Sequence, residues 1–193
     1  MEEIIEWYNS LNAKIKFIIK MCCFVLVISL ITILFIKFFY APMIINGNSM
    51  NPALENNDIV IIDKRAYKDK GPERFDLIAF KYRYDYSQKY IKRVIGLPGE
   101  TIYISNNIIY IKENNNEEYI QLKEYYGLFE GNPQFTDCNP ITLGEDEYFV
   151  LGDNRYDSDD SRSSVGIVKK KTIIGKAVFR LLPFKGIGSL KYQ

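Results

Sequence analysis

Residues 16–40, KFIIKMCCFVLVISLITILFIKFFY, set the organisation of this chain. Lys20 and Lys37 bracket an uncharged apolar core, and the aromatic residues at positions 38–40 are typical of a membrane interface. The run reaches the roughly 20 residues that an α-helix needs to cross a bilayer. A cleaved signal peptide would have a shorter apolar region and small residues at its exit, whereas this run ends in Phe-Phe-Tyr-Ala-Pro. We therefore predict an uncleaved transmembrane anchor at residues 16–40.

The lysines around this run predict its orientation. Lys14, Lys16 and Lys20 precede the apolar core, and only Lys37 follows it closely. Because positive charge is enriched on the cytoplasmic side of membrane helices, we expect the N-terminus to be cytoplasmic. The predicted organisation is a short cytoplasmic segment at residues 1–15, the anchor, and one extracytoplasmic domain at residues 41–193.

The rest of the chain is rich in strand signals. Short runs of β-branched and aromatic residues alternate with turn formers, and Asn106-Asn107 lies between two of them in the pattern of a hairpin. Residues 119–146 carry Gly, Pro and Asn at short intervals and are expected to be irregular. The predicted fold is mainly β, with one N-terminal transmembrane helix followed by an all-β domain of antiparallel sheets. The strand-like runs are Asp58–Asp63, Leu77–Lys81, Tyr90–Leu97, Thr101–Lys112, Tyr148–Gly152 and Ile173–Leu182.

Composition excludes several classes of function. The formal net charge of +1 gives no electrostatic basis for binding nucleic acid. The chain contains no histidine, which excludes Ser-His-Asp and Cys-His catalysis and histidine-ligated zinc and iron sites. Of the three cysteines, Cys22 and Cys23 lie in the apolar run, so Cys138 has no partner for an internal disulfide in the predicted domain. Any nucleophile must be activated by a lysine, a carboxylate or a terminal amine.

A serine follows the predicted anchor within a turn, Asn46-Gly47-Asn48-Ser49-Met50-Asn51-Pro52-Ala53-Leu54. The turn formers before Ser49 and the proline after it predict a tight, non-helical loop. A serine on such a loop can expose its hydroxyl beside backbone N–H groups that could stabilise an oxyanion. The simpler alternative is a turn serine that caps its own backbone.

A lysine lies inside the apolar strand predicted at Tyr90–Leu97. Tyr90 and Val94 are the same-face neighbours of Lys92. Burial among such neighbours would lower the pKa of the lysine towards neutrality, as a general base requires. The alternative is a lysine that protects an exposed strand edge from pairing.

A third polar segment is Gly152–Arg162, GDNRYDSDDSR. Its aspartates suggest calcium, but the segment lacks the glycine and glutamate spacing of an EF-hand loop, and we predict no metal site. A solvated acidic loop is one interpretation. The hydroxyls, Asn154 and two arginines that could pair with the acids favour a rigid supporting structure instead.

Together these segments resemble the motifs of the bacterial type I signal peptidases, membrane-anchored serine proteases with a Ser–Lys dyad. Residues 49–52, SMNP, are similar to the nucleophile motif Ser-Met-x-Pro. Residues 92–100, KRVIGLPGE, match the lysine motif almost completely, and residues 152–162 are similar to the last motif. The resemblance covers the anchor and most of residues 41–184, and residues 104–146 fall where the family varies in length.

This resemblance implies roles for individual residues. Ser49 would be the nucleophile and Lys92 the general base of a serine endopeptidase that uses no cofactor and no metal. The implied supporting residues are Ser158, which would hydrogen-bond and orient Lys92, Asp160 and Arg162, which would pair behind the site, Asp153 and Arg93.

The resemblance also implies a substrate and a location. The substrates would be preproteins at a bacterial cell membrane, cut after a small-x-small sequence such as Ala-x-Ala. Because Ala41–Ile45 is apolar and extended, we expect it to pair with the substrate as an added strand. Met43 and Ile45 would then help to form shallow pockets for the substrate.

The chain departs from the family pattern at a few positions. Ala53 replaces the usual threonine after the proline, and Phe75 replaces the glycine of an Arg-Gly-Asp sequence. Tyr156-Asp157 replaces the commoner Asp-Asn. Gly47 stands where some members have a serine that completes the oxyanion hole, so here the hole is expected to rest on backbone N–H groups, including that of Ser49.

Three alternatives use the same features differently. A catalytically silent relative that acts as a chaperone for surface-protein assembly should lack the serine or the lysine, and this chain has both. A self-cleaving repressor with a similar dyad would need a DNA-binding segment in place of residues 1–40. An anchored binding domain would leave the lysine strand and Asp153–Arg162 unexplained.

Overall fold

The computed structural model describes residues 7–114, 116, 118–123 and 137–190, and the chain divides into two compact units, Met1–Phe39 and Tyr40–Gln193. The first unit contains one long helix, α1, at Ala13–Phe39. Asn12 caps it, because its side-chain oxygen accepts a hydrogen bond from the Lys14 backbone N–H at 2.9 Å. None of its residues is buried. The helix is long and apolar enough to cross a membrane, and it begins three residues before the predicted boundary at Lys16.

The second unit is built of antiparallel strands, as predicted from the sequence. In chain order the strands are β1 Tyr40–Ile44, β2 Ile59–Asp63, β3 Leu77–Lys81, β4 Lys89–Gly96, β5 Thr101–Ser105, β6 Ile108–Lys112, β7 Ile120–Gln121, β8 Cys138–Thr142, β9 Glu147–Leu151, β10 Val168–Lys169, β11 Ile173–Leu182 and β12 Gly188–Ser189. Eight of them form one sheet in the order β1-β2-β11-β3-β4-β9-β10, with β12 paired to β11. The other four form a second sheet in the order β7-β6-β5-β8.

The second sheet confirms the predicted hairpin and corrects one expectation. Asn106 and Asn107 adopt φ values of 51° and 65°, which a tight hairpin turn requires, and β5 pairs with β6 across them. The expectation of an irregular segment at residues 119–146 was wrong in part, because β7 and β8 add the two outer strands. Pro140 obscures β8 in the sequence, but an outer strand tolerates a proline. Residues 124–136 lie outside the described residues.

The loop between β1 and β2 is fixed by the core beneath it. Met50 and Leu54 are 1% and 0% exposed, and they pack in one cluster with Val60, Ile62 and Leu77. Two buried side chains within five residues hold this loop against the large sheet, which restricts the positions that Ser49 can take.

The large sheet leaves two open edges that face one cleft. Four antiparallel pairings separate β1 from β4, so the two strands run in the same direction. Among the described strands, β1 is the outermost on its side. β9 pairs only with Arg93–Gly96, and no described strand pairs with that edge of Lys89–Lys92. Residues from both open edges line the same cleft, so the sheet curls towards closure without completing it.

Candidate active site

Ser49 lies on the loop that follows β1. Gly47 adopts a φ of 90°, a conformation that L side chains rarely take, and its N–H donates to the Asn56 side chain at 2.8 Å. The carbonyl of Ser49 accepts a hydrogen bond from the backbone N–H of Asn154 at 3.1 Å. The side-chain amide of Asn154 also donates to the Asn48 carbonyl at 3.3 Å. The segment that begins at Gly152 therefore holds the backbone on both sides of the serine hydroxyl.

Lys92 reaches this hydroxyl from β4. Its side chain is 2% exposed, and its Nζ lies 2.5 Å from the Ser49 Oγ in a hydrogen bond. A lysine that protects a strand edge would project into solvent, so that alternative is wrong for Lys92. Burial lowers the pKa of Lys92 to about 8.

Nearby charges modify this effect of burial. Asp160, Asp159 and Asp153 favour the charged ammonium and raise the pKa of Lys92, whereas Arg162 lowers it. Among the described residues, no carboxylate forms an ion pair with Lys92. The carboxylates therefore offset part of the desolvation without fixing the lysine in its charged form.

Two buried ion pairs support the site. Arg93 donates to Asp153 through Nε at 2.8 Å and Nη2 at 2.6 Å, and the two side chains are 2% and 0% exposed. Arg162 donates to Asp160 in the same bidentate way at 2.8 and 2.7 Å. Asp160 also accepts the backbone N–H of Gly152 at 3.1 Å. Both acids therefore have buried cationic partners, and the interpretation as a solvated acidic loop is wrong for them, whereas Asp157 and Asp159 are exposed.

Arg93 also contacts Phe75, the residue that stands where the resemblance predicts a glycine. It donates through Nη1 to the carbonyl of Phe75 at 2.9 Å. Phe75 has a φ of 71°, which glycine adopts without strain, and its ring packs against the cluster that contains Phe149 and Leu151. Phe75 therefore holds this backbone conformation with a packed ring, whereas a glycine at this position would adopt it without strain.

Ser158 is placed beside the dyad, but it does not make the predicted bond. Its Oγ is buried and has no hydrogen-bond partner among the described residues, so the expected bond to Lys92 is not formed in this structure. The space around Gly152 shows where the hydroxyl lies. A Cβ added to Gly152 would collide with the Ser158 Oγ and with the Ser49 carbonyl oxygen. Gly152, Ser158 and Ser49 therefore meet at one point behind the nucleophile.

The cleft beside Ser49 has a volume of about 430 Å³. Met43 is half-buried and Ile45 is 6% exposed, and both contribute to its β1 side. Sequence reasoning missed most of the opposite wall, which the β3–β4 connection and the start of β4 provide. The only signal was that Tyr90 shares a strand face with Lys92, whose Nζ lies 5.8 Å from the Tyr90 ring centroid. The residues of this wall are Ser87, Gln88, Lys89, Tyr90, Ile91 and Lys92.

Known proteins resemble this chain over most of its length. Signal peptidase I U of Bacillus subtilis (strain 168) is 33% identical over 172 residues, which cover 89% of this chain and 90% of that protein. A probable signal peptidase I-1 of Synechocystis sp. is 34% identical over 174 residues, with coverages of 86% and 83%. A solved signal peptidase I structure from Enterococcus faecalis V583 is 35% identical, covers 55% of this chain and 97% of that one, and gives a TM-score of 0.46.

The family assignment follows from a match along the chain rather than from one motif. A family model described as "Signal peptidase, peptidase S26" matches residues 18–182. That range begins within α1 and ends at the last residue of β11, and it contains the serine loop, the lysine strand and the segment from Gly152 to Arg162. The chain therefore belongs to the signal peptidase family, peptidase S26.

Proposed function

We propose that this protein is a membrane-anchored serine endopeptidase that removes N-terminal signal peptides from secreted preproteins. Ser49 is the nucleophile and Lys92 is the general base. The observation that carries this proposal is the 2.5 Å hydrogen bond between the Lys92 Nζ and the Ser49 Oγ, made by a lysine that is 2% exposed. A buried lysine can be neutral near physiological pH, and only a neutral amine can accept the serine proton.

The reaction follows from these two groups. Neutral Lys92 takes the proton of the Ser49 hydroxyl as the Oγ attacks the scissile carbonyl carbon. Backbone N–H groups of the serine loop stabilise the oxyanion that forms. The ammonium of Lys92 then gives its proton to the leaving amine, and an ester of Ser49 remains. Lys92 next takes a proton from a water molecule that attacks this ester, and it gives this proton to the Ser49 Oγ as the bond between Oγ and the carbonyl carbon breaks and the acid product leaves.

The two open edges of the large sheet suggest how the preprotein binds. An extended peptide between β1 and the start of β4 could form backbone hydrogen bonds with both strands and nearly close the sheet. Side chains that point towards β1 would meet Met43 and Ile45. Because these large apolar side chains fill that wall, only small substrate residues would fit there, in agreement with an Ala-x-Ala cleavage sequence.

The anchor completes the proposal. Helix α1 is long and apolar enough to span a membrane, so the domain that starts at Tyr40 stays near the bilayer from which a signal peptide emerges. The lysines on the N-terminal side of the apolar run favour a cytoplasmic N-terminus and an extracytoplasmic catalytic domain. The chaperone alternative is not favoured, because a silent relative has no need of a hydrogen-bonded serine and buried lysine.

The test is cleavage of a preprotein with an Ala-x-Ala site by the full chain in detergent. Wild type is expected to release the mature protein, and Ser49→Ala and Lys92→Ala are expected to release none. Ser105→Ala and Lys112→Ala, which change the same residue types in the second sheet, serve as matched controls and should keep wild-type rates. No product from wild type would favour the chaperone alternative, and persistent cleavage by Lys92→Ala would show that another group is the base.

A further inference from the structure

A second, smaller cavity lies on the far side of the β3–β4 connection from the active-site cleft. Its volume is about 190 Å³. Tyr86 lines it, whereas the next residues, Ser87 and Gln88, line the active-site cleft. Its apolar wall includes the buried side chains Phe80, Val165 and Val168, and its cationic side chains are Lys81, Arg83, Lys169 and Lys171. We call it the basic pocket.

The cations of the basic pocket lack anionic partners within the part of the chain that the structure describes. Lys81 and Arg83 instead lie over tyrosine rings, 6.0 and 4.5 Å from the centroids of Tyr86 and Tyr84. Asp85 is the acid nearest in sequence, and its oxygens accept hydrogen bonds from Ser87 and Gln88. No acidic residue among those that the structure describes lines the pocket. Four like charges around one cavity repel one another, and a bound anion would relieve that repulsion.

Lys169 and Lys171 also border a neighbouring depression. That depression contains Glu145, Asp146 and Glu147, and none of these acids forms an ion pair with either lysine in the described residues. The acids reduce the local potential on that side only. Lys81 and Arg83 form no ion pair with a described residue, so the electrostatic potential in the basic pocket remains positive.

The position of the β3–β4 connection suggests the source of the anion. Backbone pairing places Tyr40 and Ile78 in one row of the large sheet, through Asp63 and Lys176. β3 runs opposite to β1, so Lys81 lies three residues beyond that row, about 10 Å, on the side from which the chain enters the sheet at Tyr40. The basic pocket is thus at the end of the sheet where the chain arrives from α1, the proposed membrane anchor.

The exposed residues of the same connection suit a lipid surface. Tyr84 and Tyr86 are 71% and 58% exposed, and tyrosines beside basic residues are enriched where proteins meet lipid headgroups. A cavity of about 190 Å³ is smaller than those that hold drug-sized ligands, but it admits a phosphate group. We propose that the basic pocket binds the phosphodiester of an anionic phospholipid headgroup.

The test measures binding of a short-chain phosphatidylglycerol to the full chain in non-ionic detergent, below the critical micelle concentration of the lipid. The zwitterionic phosphatidylcholine of the same chain length is the comparison. Wild type is expected to bind the anionic lipid more tightly. The double variant Lys81→Gln/Arg83→Gln is expected to bind it roughly 10- to 30-fold more weakly, because each basic residue near an anionic lipid contributes about a few-fold to tenfold in affinity.

A matched control distinguishes binding at the basic pocket from a general effect of positive charge on the protein surface. Lys68→Gln/Lys70→Gln removes the same two positive charges at exposed positions that do not line the pocket, and it should bind as wild type does. Lys169→Gln/Lys171→Gln removes the other two cations and should reproduce the loss, which keeps the test valid if one double variant folds poorly. Equal affinity of the pocket and control variants would overturn the proposal, and so would equal affinity of wild type for the two lipids.

A third ligand distinguishes the lipid from free phosphate compounds. Glycerophosphoglycerol has the same phosphodiester without acyl chains. We expect it to compete for the same pocket, but with lower affinity, because the tyrosines then have no apolar partner. If it or inorganic phosphate binds at the pocket while phosphatidylglycerol does not, the lipid proposal is wrong.

Discussion

The Lys92 Nζ and the Ser49 Oγ lie 2.5 Å apart, although 43 positions separate the two residues in the chain. Ser49 belongs to a loop that buried side chains hold against the large sheet, and Lys92 belongs to the strand across the cleft. The two side chains are therefore brought together by the tertiary fold and not by proximity in the sequence. Their contact depends on the curl that brings the two open edges of the large sheet to one cleft.

The first prediction concerns pH. Burial lowers the pKa of Lys92 to about 8, and the proposed base is the neutral amine, so the rate should rise with pH and level off above about 8. Asp159 raises that pKa through its negative charge. Asp159→Asn removes the charge and therefore favours the neutral amine at lower pH. The acidic limb of the kcat/KM profile should shift to lower pH.

Asp159 suits this test because it is ionised over the relevant range. Burial raises the pKa of Asp159, but hydrogen bonds from Ser163 and Ser164 more than offset that effect and leave it below the ordinary value. Asp157→Asn, an exposed neighbour that is not among the charges acting on Lys92, is the control. An unshifted limb in Asp159→Asn, or a shift to higher pH, would contradict the proposed base.

The second prediction concerns Gly152. A Cβ at this position would overlap the Ser158 Oγ and the Ser49 carbonyl oxygen, so Gly152→Ala must displace the serine loop or the segment behind it. A displacement of about 1 Å at a nucleophile can cost on the order of 100-fold in rate. We expect kcat to fall by about that factor, measured with saturating preprotein. Gly188→Ala is the control because no atom of the described residues lies within 4 Å of its added Cβ. Wild-type kcat in Gly152→Ala would show that the loop has room to adjust.

The third prediction concerns the buried pair of Arg93 and Asp153. Asp153→Asn leaves the guanidinium buried without its counter-charge, and breaking such a pair typically costs about 3–5 kcal/mol. We expect the free energy of unfolding, measured by urea denaturation of the full chain in detergent, to fall by this amount. Arg65→Gln removes the exposed partner of Asp63 and should change it by less than about 1 kcal/mol. Equal losses of unfolding free energy in Asp153→Asn and Arg65→Gln would mean that the buried pair stabilises the fold no more than the exposed pair does.

The fourth prediction concerns Arg180 as a positioning residue. Its Nε lies 3.1 Å from the Asp58 carboxylate, and its Nη2 donates to the carbonyl of Ala53, four residues after the nucleophile. Arg180→Lys keeps the charge but cannot make both contacts. We expect kcat to fall about tenfold or more, while the acidic limb that reports the pKa of Lys92 stays in place, since Arg180 is not among the charges acting on it.

The matched control for Arg180 is Arg65→Lys, at an exposed position. A purely structural role would lower the unfolding temperature of Arg180→Lys and leave kcat unchanged well below that temperature. That outcome would contradict the assignment of Arg180 to positioning.

The fifth prediction concerns the choice of cleavage site. Met43→Ala and Ile45→Ala each remove volume from the β1 wall of the cleft, so both variants should cleave preproteins with a leucine in place of one of the small residues. Ile120→Ala changes an isoleucine of the second sheet that is 57% exposed and does not line the cleft, and it should keep wild-type selectivity. Mass spectrometry of the products identifies the sites. Unaltered selectivity in both wall variants would mean that these residues do not form the pockets.

Short sequence patterns predicted the parts of the fold that depend on interactions within one element. The long apolar run of α1 and the Asn106-Asn107 turn each depend on residues within one element, and both elements are present. β8 was missed because its proline is tolerable only at the outer edge of a sheet, and the sequence does not show which strands are outermost.

The site was predictable as a set of residues and only partly as an arrangement. The motifs around Ser49, Lys92 and Gly152 gave the candidate side chains because together they resemble one family, whereas each segment alone left a simpler alternative open. The motifs did not predict all of the hydrogen bonds between these side chains. Ser158 was expected to bond to Lys92, but its buried hydroxyl has no partner among the described residues, and the lysine bonds to Ser49.

The sequence by itself determined the apolar helix, the antiparallel strands and the exclusion of histidine chemistry. Hydropathy and turn residues act within short segments, and the absence of histidine is a property of the composition alone. Only the tertiary structure decided that Lys92 is buried beside Ser49, that the large sheet stays open along two edges, and that four cations surround one small pocket. Each of these depends on contacts between residues far apart in the chain. Burial, and the pKa that follows from it, belongs to the packed fold and cannot be assigned to a residue on its own.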